Sequence, residues 1–134
     1  MLSADCSSLG LSIYFIIRHG ADNVYVWTWA GNAWHTDVAS ASGSVILVQW
    51  NHVAWTRDAS GNQALYINGQ LADDSSTDPG GSLSSPYGLF IGAQRRYTGE
   101  LGYFFTGALD DIRIYDRVLS SNEVANIYLV EALQ

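Results

Sequence analysis

Short runs of Val, Ile, Tyr and Trp, each closed by a cluster of Gly, Asn, Asp or Ser, constrain this chain more than any other feature of it. Side chains alternate between the two faces of a pleated strand, so a run that separates its residue types at period two is strand-forming and not helical. In Tyr25-Val26-Trp27-Thr28-Trp29 the aromatic residues fall on one face and the smaller ones on the other. The same pattern predicts strands near 12–18, 24–30, 44–48, 50–57, 63–68, 87–92 and 103–115. Asp58-Ala59-Ser60-Gly61-Asn62 is a turn sequence, and Asn68-Gly69 supplies two residues that accept a positive φ, so 50–57, 63–68 and 70–72 read as a meander. From Asp73 to Pro86 turn formers crowd together without periodicity, which reads as a long loop. One helix is expected, near the end, where Ser120 and Glu123 form a capping box ahead of Val124, Ile127 and Tyr128.

No repeat and no linker composition divides the chain, so residues 1–134 are expected to form a single domain. A domain of this length buries enough surface to need neither disulfide nor metal staple. Its only cysteine, Cys6, has no partner for an internal disulfide. The net charge is −7, with all six cations arginine and scattered. Such a surface repels phosphate backbones and anionic lipid, which argues against nucleic acid and membrane surfaces as partners. The apolar run Leu11 to Ile17 is too short to span a bilayer, and the residues before it lack the basic start of a signal peptide.

From Trp50 onward the chain resembles the laminin-G-like jelly-roll family of the concanavalin A-like lectin and glucanase group. The resemblance rests on Trp50-Asn51-His52-Val53-Ala54, Leu65-Tyr66-Ile67-Asn68-Gly69, Leu89-Phe90-Ile91-Gly92, and the run from Phe105 through Asp110, Asp111 and Tyr115 to Ser120, followed by Glu123. It implies an all-β fold: a two-sheet antiparallel β-sandwich, or jelly roll, with one short C-terminal helix. Only 49 residues precede Trp50, fewer than the family places there, so the expectation is a sandwich shortened at its N-terminus or cut from a larger protein. An incomplete sheet exposes a strand edge, through which the chain is expected to form a homo-oligomer. The resemblance further implies an extracellular, cell-surface or virion setting.

Catalytic readings fail on residue inventory. A glycoside hydrolase needs two cooperating carboxylates, but the glutamates are Glu100, Glu123 and Glu131 only, and Asp110 and Asp111 are adjacent and point to opposite faces of a strand. His19, His35 and His52 lack a nucleophile elbow and metal-ligand spacing; His52 beside Trp50 is read as structural. Asp110 shares parity with Ile112 and Ile114 and is expected to face inward, where a carboxylate needs a partner. The resemblance makes that partner a structural calcium; backbone N–H donors are the alternative. Asp73, Asp74 and Asp78 are a weaker calcium candidate, since a solvated acidic loop accounts for them.

Carbohydrate recognition requires a flat aromatic face and fixed polar groups. Tyr25, Trp27 and Trp29 form such a row, with Trp34 nearby, and Tyr97 and Tyr103 lie in a polar loop as alternative contacts. Against this, a sandwich must bury one residue of every two per strand, which favours the row as core. Exposure of Trp27 and Trp29 is the discriminator: a solvent-facing row favours glycan, and a buried row favours protein contact through loops. The reading is a non-catalytic module that binds glycan or mediates adhesion. The alternative is a structural domain that binds a protein surface, and a remote glycoside hydrolase relative stands third.

Overall fold

A computed structural model describes residues 2–3, 12–18, 20–30, 33–78, 88–95 and 99–133. In chain order its elements are β1 (Leu2–Ser3), β2 (Ser12–Arg18), β3 (Asn23–Ala30), β4 (Ala33–Ala39), β5 (Val53–Arg57), β6 (Gln63–Ile67), β7 (Gln70–Ser75), β8 (Phe90–Ile91), β9 (Gln94–Arg95), β10 (Leu101–Gly102) and α1 (Ser121–Glu131). One sheet has the order β4-β3-β2-β1-β8, a second has the order β5-β6-β7, and β9 and β10 form a small ribbon; all pairings are antiparallel. The result is the expected all-β sandwich with one C-terminal helix.

The alternation of β3 places Val24, Val26 and Thr28 inside, each fully buried. Val24 and Val26 meet Leu65 and Ile67 of β6 together with Val38 and Val45, while Phe15, Ile17, Val53 and Trp55 close the periphery. Aliphatic side chains of this size stabilise the fold by roughly 1.5–3 kcal/mol each when fully buried. The other face of β6 carries Tyr66, which packs with Leu119 and Val124 of the helical segment. The central strand of the smaller sheet is therefore covered on both faces, by the larger sheet and by α1.

A buried polar cluster ties the sheets together. Asp78 accepts hydrogen bonds from Arg57 Nε and Nη2 at 2.8 Å, from Gln63 Nε2 at 3.1 Å and from Thr28 Oγ1 at 3.3 Å. Arg57 and Asp78 side chains are 6% and 0% exposed, so this ion pair is dry and spans β3, β5, β6 and the segment after β7. Trp55 Nε1 extends the network by donating to Gln63 Oε1 at 2.7 Å. The expectation of Asp78 in a solvated acidic loop is thereby corrected. Asp73 is likewise engaged, accepting from the Ala39 amide at 2.7 Å and joining β7 to β4.

Local signals set much of this. Asn68 (φ 50°) and Gly69 (φ 76°) both occupy the left-handed region in the β6–β7 hairpin, as a two-residue turn demands. Asp58 Oδ1 accepts from the Ser60 and Asn62 amides, which folds the β5–β6 connection. Ser120 caps α1 and Glu123 reaches back to it, the reciprocal capping box.

Several expectations about strands are corrected; residues 73–75, expected to open a long loop, instead complete β7. Residues 44–48 form a loop, because Val48 turns into the left-handed region (φ 58°) and the Asn51 side chain clamps the chain around it. Of the strand expected over 103–115 none is present: Tyr103 and Asp111 both have φ 49°, which breaks the pleat at two places. Asp110, Ile112 and Ile114 consequently all lie at the surface, and the inward position expected for Asp110 is not observed. Conversely β4 carries no hydrophobic run of its own, and its pairing with β3 along Trp29↔Trp34 and Tyr25↔Ala39 makes it a strand.

Candidate functional site

β3 separates its residues so that Val24, Val26 and Thr28 fill the core while Tyr25 and Trp27 lie on the opposite face. Trp27 is 36% exposed and Tyr25 is half-buried, with ring centroids 5.0 Å apart and planes inclined at 46°. The core-filling expectation for this row is thus overturned at Trp27: Val24, Val26 and Thr28 already occupy the interior side of the strand. Across the sheet, Trp27 is opposite Tyr14 of β2 and Thr36 of β4, and Tyr25 is opposite Ile16. The β3–β4 register shifts between Val26 and Trp27, leaving Asp37 as an extra residue beside the Trp27 position. A bulge at this point increases the local twist and re-aims the side chains next to it.

The remaining members of the predicted set are distributed as follows. Trp29 and Trp34 face one another in register at the far end of the β3–β4 pair, and their side chains lie outside the described residues. Tyr97 also lies outside them. Tyr103 is 61% exposed, just beyond β10, next to an exposed Phe104. Two neighbouring aromatic planes on a sheet surface offer what the C–H face of a sugar ring or an apolar side chain stacks against, with the Tyr25 hydroxyl as a polar handle.

At Asp110, the carboxylate accepts from the Asp111 amide at 2.9 Å, the backbone-donor alternative, and does so at the surface. Among the described residues no group of three or more His, Cys, Asp or Glu is placed to hold a metal ion. Two of the three glutamates are held in ion pairs: Glu123 by Arg117 at 2.6 and 3.1 Å and by Ser120, and Glu131 by Arg113 at 2.7 Å. Arg117 and the Ser120 donors hold the Glu123 carboxyl down at about 2.

His52 is structural, as its sequence position suggests. Its amide donates to Asn68 Oδ1 at 3.0 Å, its carbonyl accepts from the Asn68 amide, and its ring lies 5.9 Å from that of Tyr128. Burial lowers its pKa, against the pull of Glu131 at 4.0 Å, and Arg113 adds to the lowering.

What the sequence reading missed is an apolar loop. Ile46, Leu47, Val48 and Trp50 are each at least half exposed, with Val48 at 106%. The signal was available in the charge-free stretch 38–56, which reads as strand only if a partner strand exists.

A family model described as the concanavalin A-like lectin/glucanases superfamily, of the laminin G type, matches residues 3–125. The match reaches well ahead of Trp50, so the N-terminal strands belong to the similarity too. Comparisons with curated proteins and with solved structures returned no significant match.

Proposed function

Because this chain belongs to the laminin G type of the concanavalin A-like lectin/glucanases superfamily, whose laminin G-like domains are typically non-catalytic, we propose that it is a carbohydrate-binding or adhesion module that receives its ligand on the Tyr25–Trp27 face. One observation carries the reading: an indole stays in contact with solvent although the strand holding it has a filled interior side. Trp27 lies on the face of β3 opposite the Val24–Val26 core, where a ligand can reach the indole. Trp29, Trp34, Tyr97 and Tyr103 are the further members of the proposed contact set. The site is proposed to work extracellularly, at a cell surface or on a virion, as such domains often do.

The test is a glycan array probed with the protein in calcium and then in chelator, with Trp27→Ala as control. Binding that vanishes in Trp27→Ala supports the face. Absence of binding in both conditions contradicts the carbohydrate reading. Dependence on calcium would place a cation in the site and reopen Asp110 as a ligand completed by backbone carbonyls.

A second reading, a domain that binds protein surfaces, is favoured by one specific feature, the exposed apolar loop at 46–50.

A further inference from the structure

The turn between β6 and β7 packs against α1. Gly69 has no side chain, and a Cβ there would lie 2.9 Å from Tyr128 Cδ1, so the phenol ring rests directly on the turn. The His52 ring lies beside it, with centroids 5.9 Å apart. Tyr128 in this position lines an open groove of about 450 Å³, within the roughly 300–1,000 Å³ that small-molecule sites occupy. Ile67, Leu71 and Ala72 give the groove apolar wall, and Asn68 and Gln70 add two amides. Ala41 and Ser44, from the segment after β4, complete the lining.

Two of the polar groups in the lining are held in place. Asn68 Oδ1 accepts from the His52 amide at 3.0 Å, which orients the side-chain amide and leaves Nδ2 as a donor. Ser44 Oγ is 2.5 Å from Ser40 Oγ, which accepts from the Val24 amide at 2.9 Å, so the Ser44 hydroxyl is tied to β3. Groups set in advance lose little freedom when a ligand replaces their water. Among the described residues, Asn68 Nδ2, the Gln70 amide and the Tyr128 hydroxyl have no hydrogen-bond partner. In a chain of net charge −7, the lining holds no Asp, Glu, Lys, Arg or His.

We infer that this groove is a second saccharide site, taking a neutral sugar residue and sharing no residue with the Tyr25–Trp27 face. Its ligand class rests on the carbohydrate reading proposed for that face, and three features of the groove match it. An ionic ligand finds no opposite charge in the lining to offset the loss of its water. A sugar hydroxyl both donates and accepts, and the amides of Asn68 and Gln70 with the hydroxyls of Ser44 and Tyr128 offer both functions in one small area. The C–H face of the sugar ring packs on aromatic and aliphatic surface, which Tyr128 and Leu71 supply beside those groups. With two sites, one chain holds two residues of a polysaccharide or bridges two glycans, and the second contact strengthens attachment through effective concentration.

The test is heteronuclear NMR of the full chain titrated with glucose, galactose, mannose, N-acetylglucosamine and lactose, following the side-chain amide signals of Asn68 and Gln70 and the indole N–H signal of Trp27. At least one of these sugars is expected to shift both amide signals saturably, in the native chain and equally in Trp27→Ala. Gln70→Ala, at an exposed position that opens β7, is expected to weaken that binding roughly fivefold, the effect of one lost neutral hydrogen bond. Backbone signals of β2 and β3 confirm that each variant stays folded. Unmoved amide signals with every sugar, undiminished affinity in Gln70→Ala, or amide shifts that vanish in Trp27→Ala overturn the groove. An indole that shifts while both amides stay still leaves the Tyr25–Trp27 face standing and the groove overturned. Amide shifts with a still indole support the groove and count against that face.

Discussion

Replacing Asp78 with alanine removes the carboxylate that faces the Arg57 guanidinium in a dry interior and takes an acceptor from Gln63 and Thr28. Breaking a buried ion pair from one side costs about 3–5 kcal/mol, because the other charge stays desolvated. A domain of this size has roughly 5–15 kcal/mol of stability in all, so the single change removes about a fifth of it or more. With about 4 °C lost per kcal/mol at this chain length, the melting midpoint is expected to fall by roughly 12–20 °C. Asp78→Asn keeps an acceptor oxygen for Thr28 or Gln63 while removing the charge, and its loss should be smaller. Urea unfolding followed by tryptophan fluorescence measures both, and the m-value shows whether the native state stays compact. A loss below about 1 kcal/mol for Asp78→Ala, the magnitude of an exposed pair, would refute the assignment of this cluster as the buried tie between the sheets.

Gly69→Ala should be destabilised beyond Gly43→Ala in thermal unfolding: both glycines have φ 76°, but only at Gly69 would the new Cβ lie 2.9 Å from Tyr128 Cδ1, an overpacking cost of about 1–3 kcal/mol. Because burial holds the His52 pKa below 6.5, the unfolded chain takes up this proton first as pH falls; stability should decline below 6.5 until the folded pKa is passed, and His52→Gln should flatten that part of the profile. Glu123 behaves in the same direction at lower pH: its carboxyl is held at about 2 against an ordinary 4.5, so its contribution is present above 4.5 and lost as pH falls toward 2, and Glu123→Gln should remove that segment of an acid titration followed by helix ellipticity. Ser120→Ala should cost about 0.5–2 kcal/mol by removing the cap of α1.

Where local chemistry decides conformation, the chain was readable from its residues. The β2 bounds follow from one apolar run, the Asn68-Gly69 turn from two residues that tolerate positive φ, and the α1 start from Ser120 and Glu123. Where a distant partner decides, it was not. β4 exists because β3 lies beside it, while 44–48 and 103–115 have strand-like composition but turn out of the pleat at Val48, Tyr103 and Asp111. The burial of Asp78 depends on Arg57, Gln63 and Thr28 arriving from three strands, and no spacing announces that. At the candidate site, period two correctly grouped Tyr25 with Trp27, but which face of a strand meets the core is settled by the second sheet. Here the valines won, because Val24 and Val26 are the ones that meet Leu65 and Ile67.

The claim that the outer face of β3 is the binding surface is tested most directly by isothermal titration of an array-identified glycan against the native chain and Trp27→Ala. If Trp27 is the stacking anchor, the substitution weakens binding by roughly 30-fold or more, since loss of a central aromatic costs about 2 kcal/mol or above. The melting midpoint should fall less than it does on truncating Val24 or Leu65, because Trp27 lies on the face of β3 opposite that core. Undiminished affinity in a folded Trp27→Ala protein would contradict the account and move the ligand to another surface.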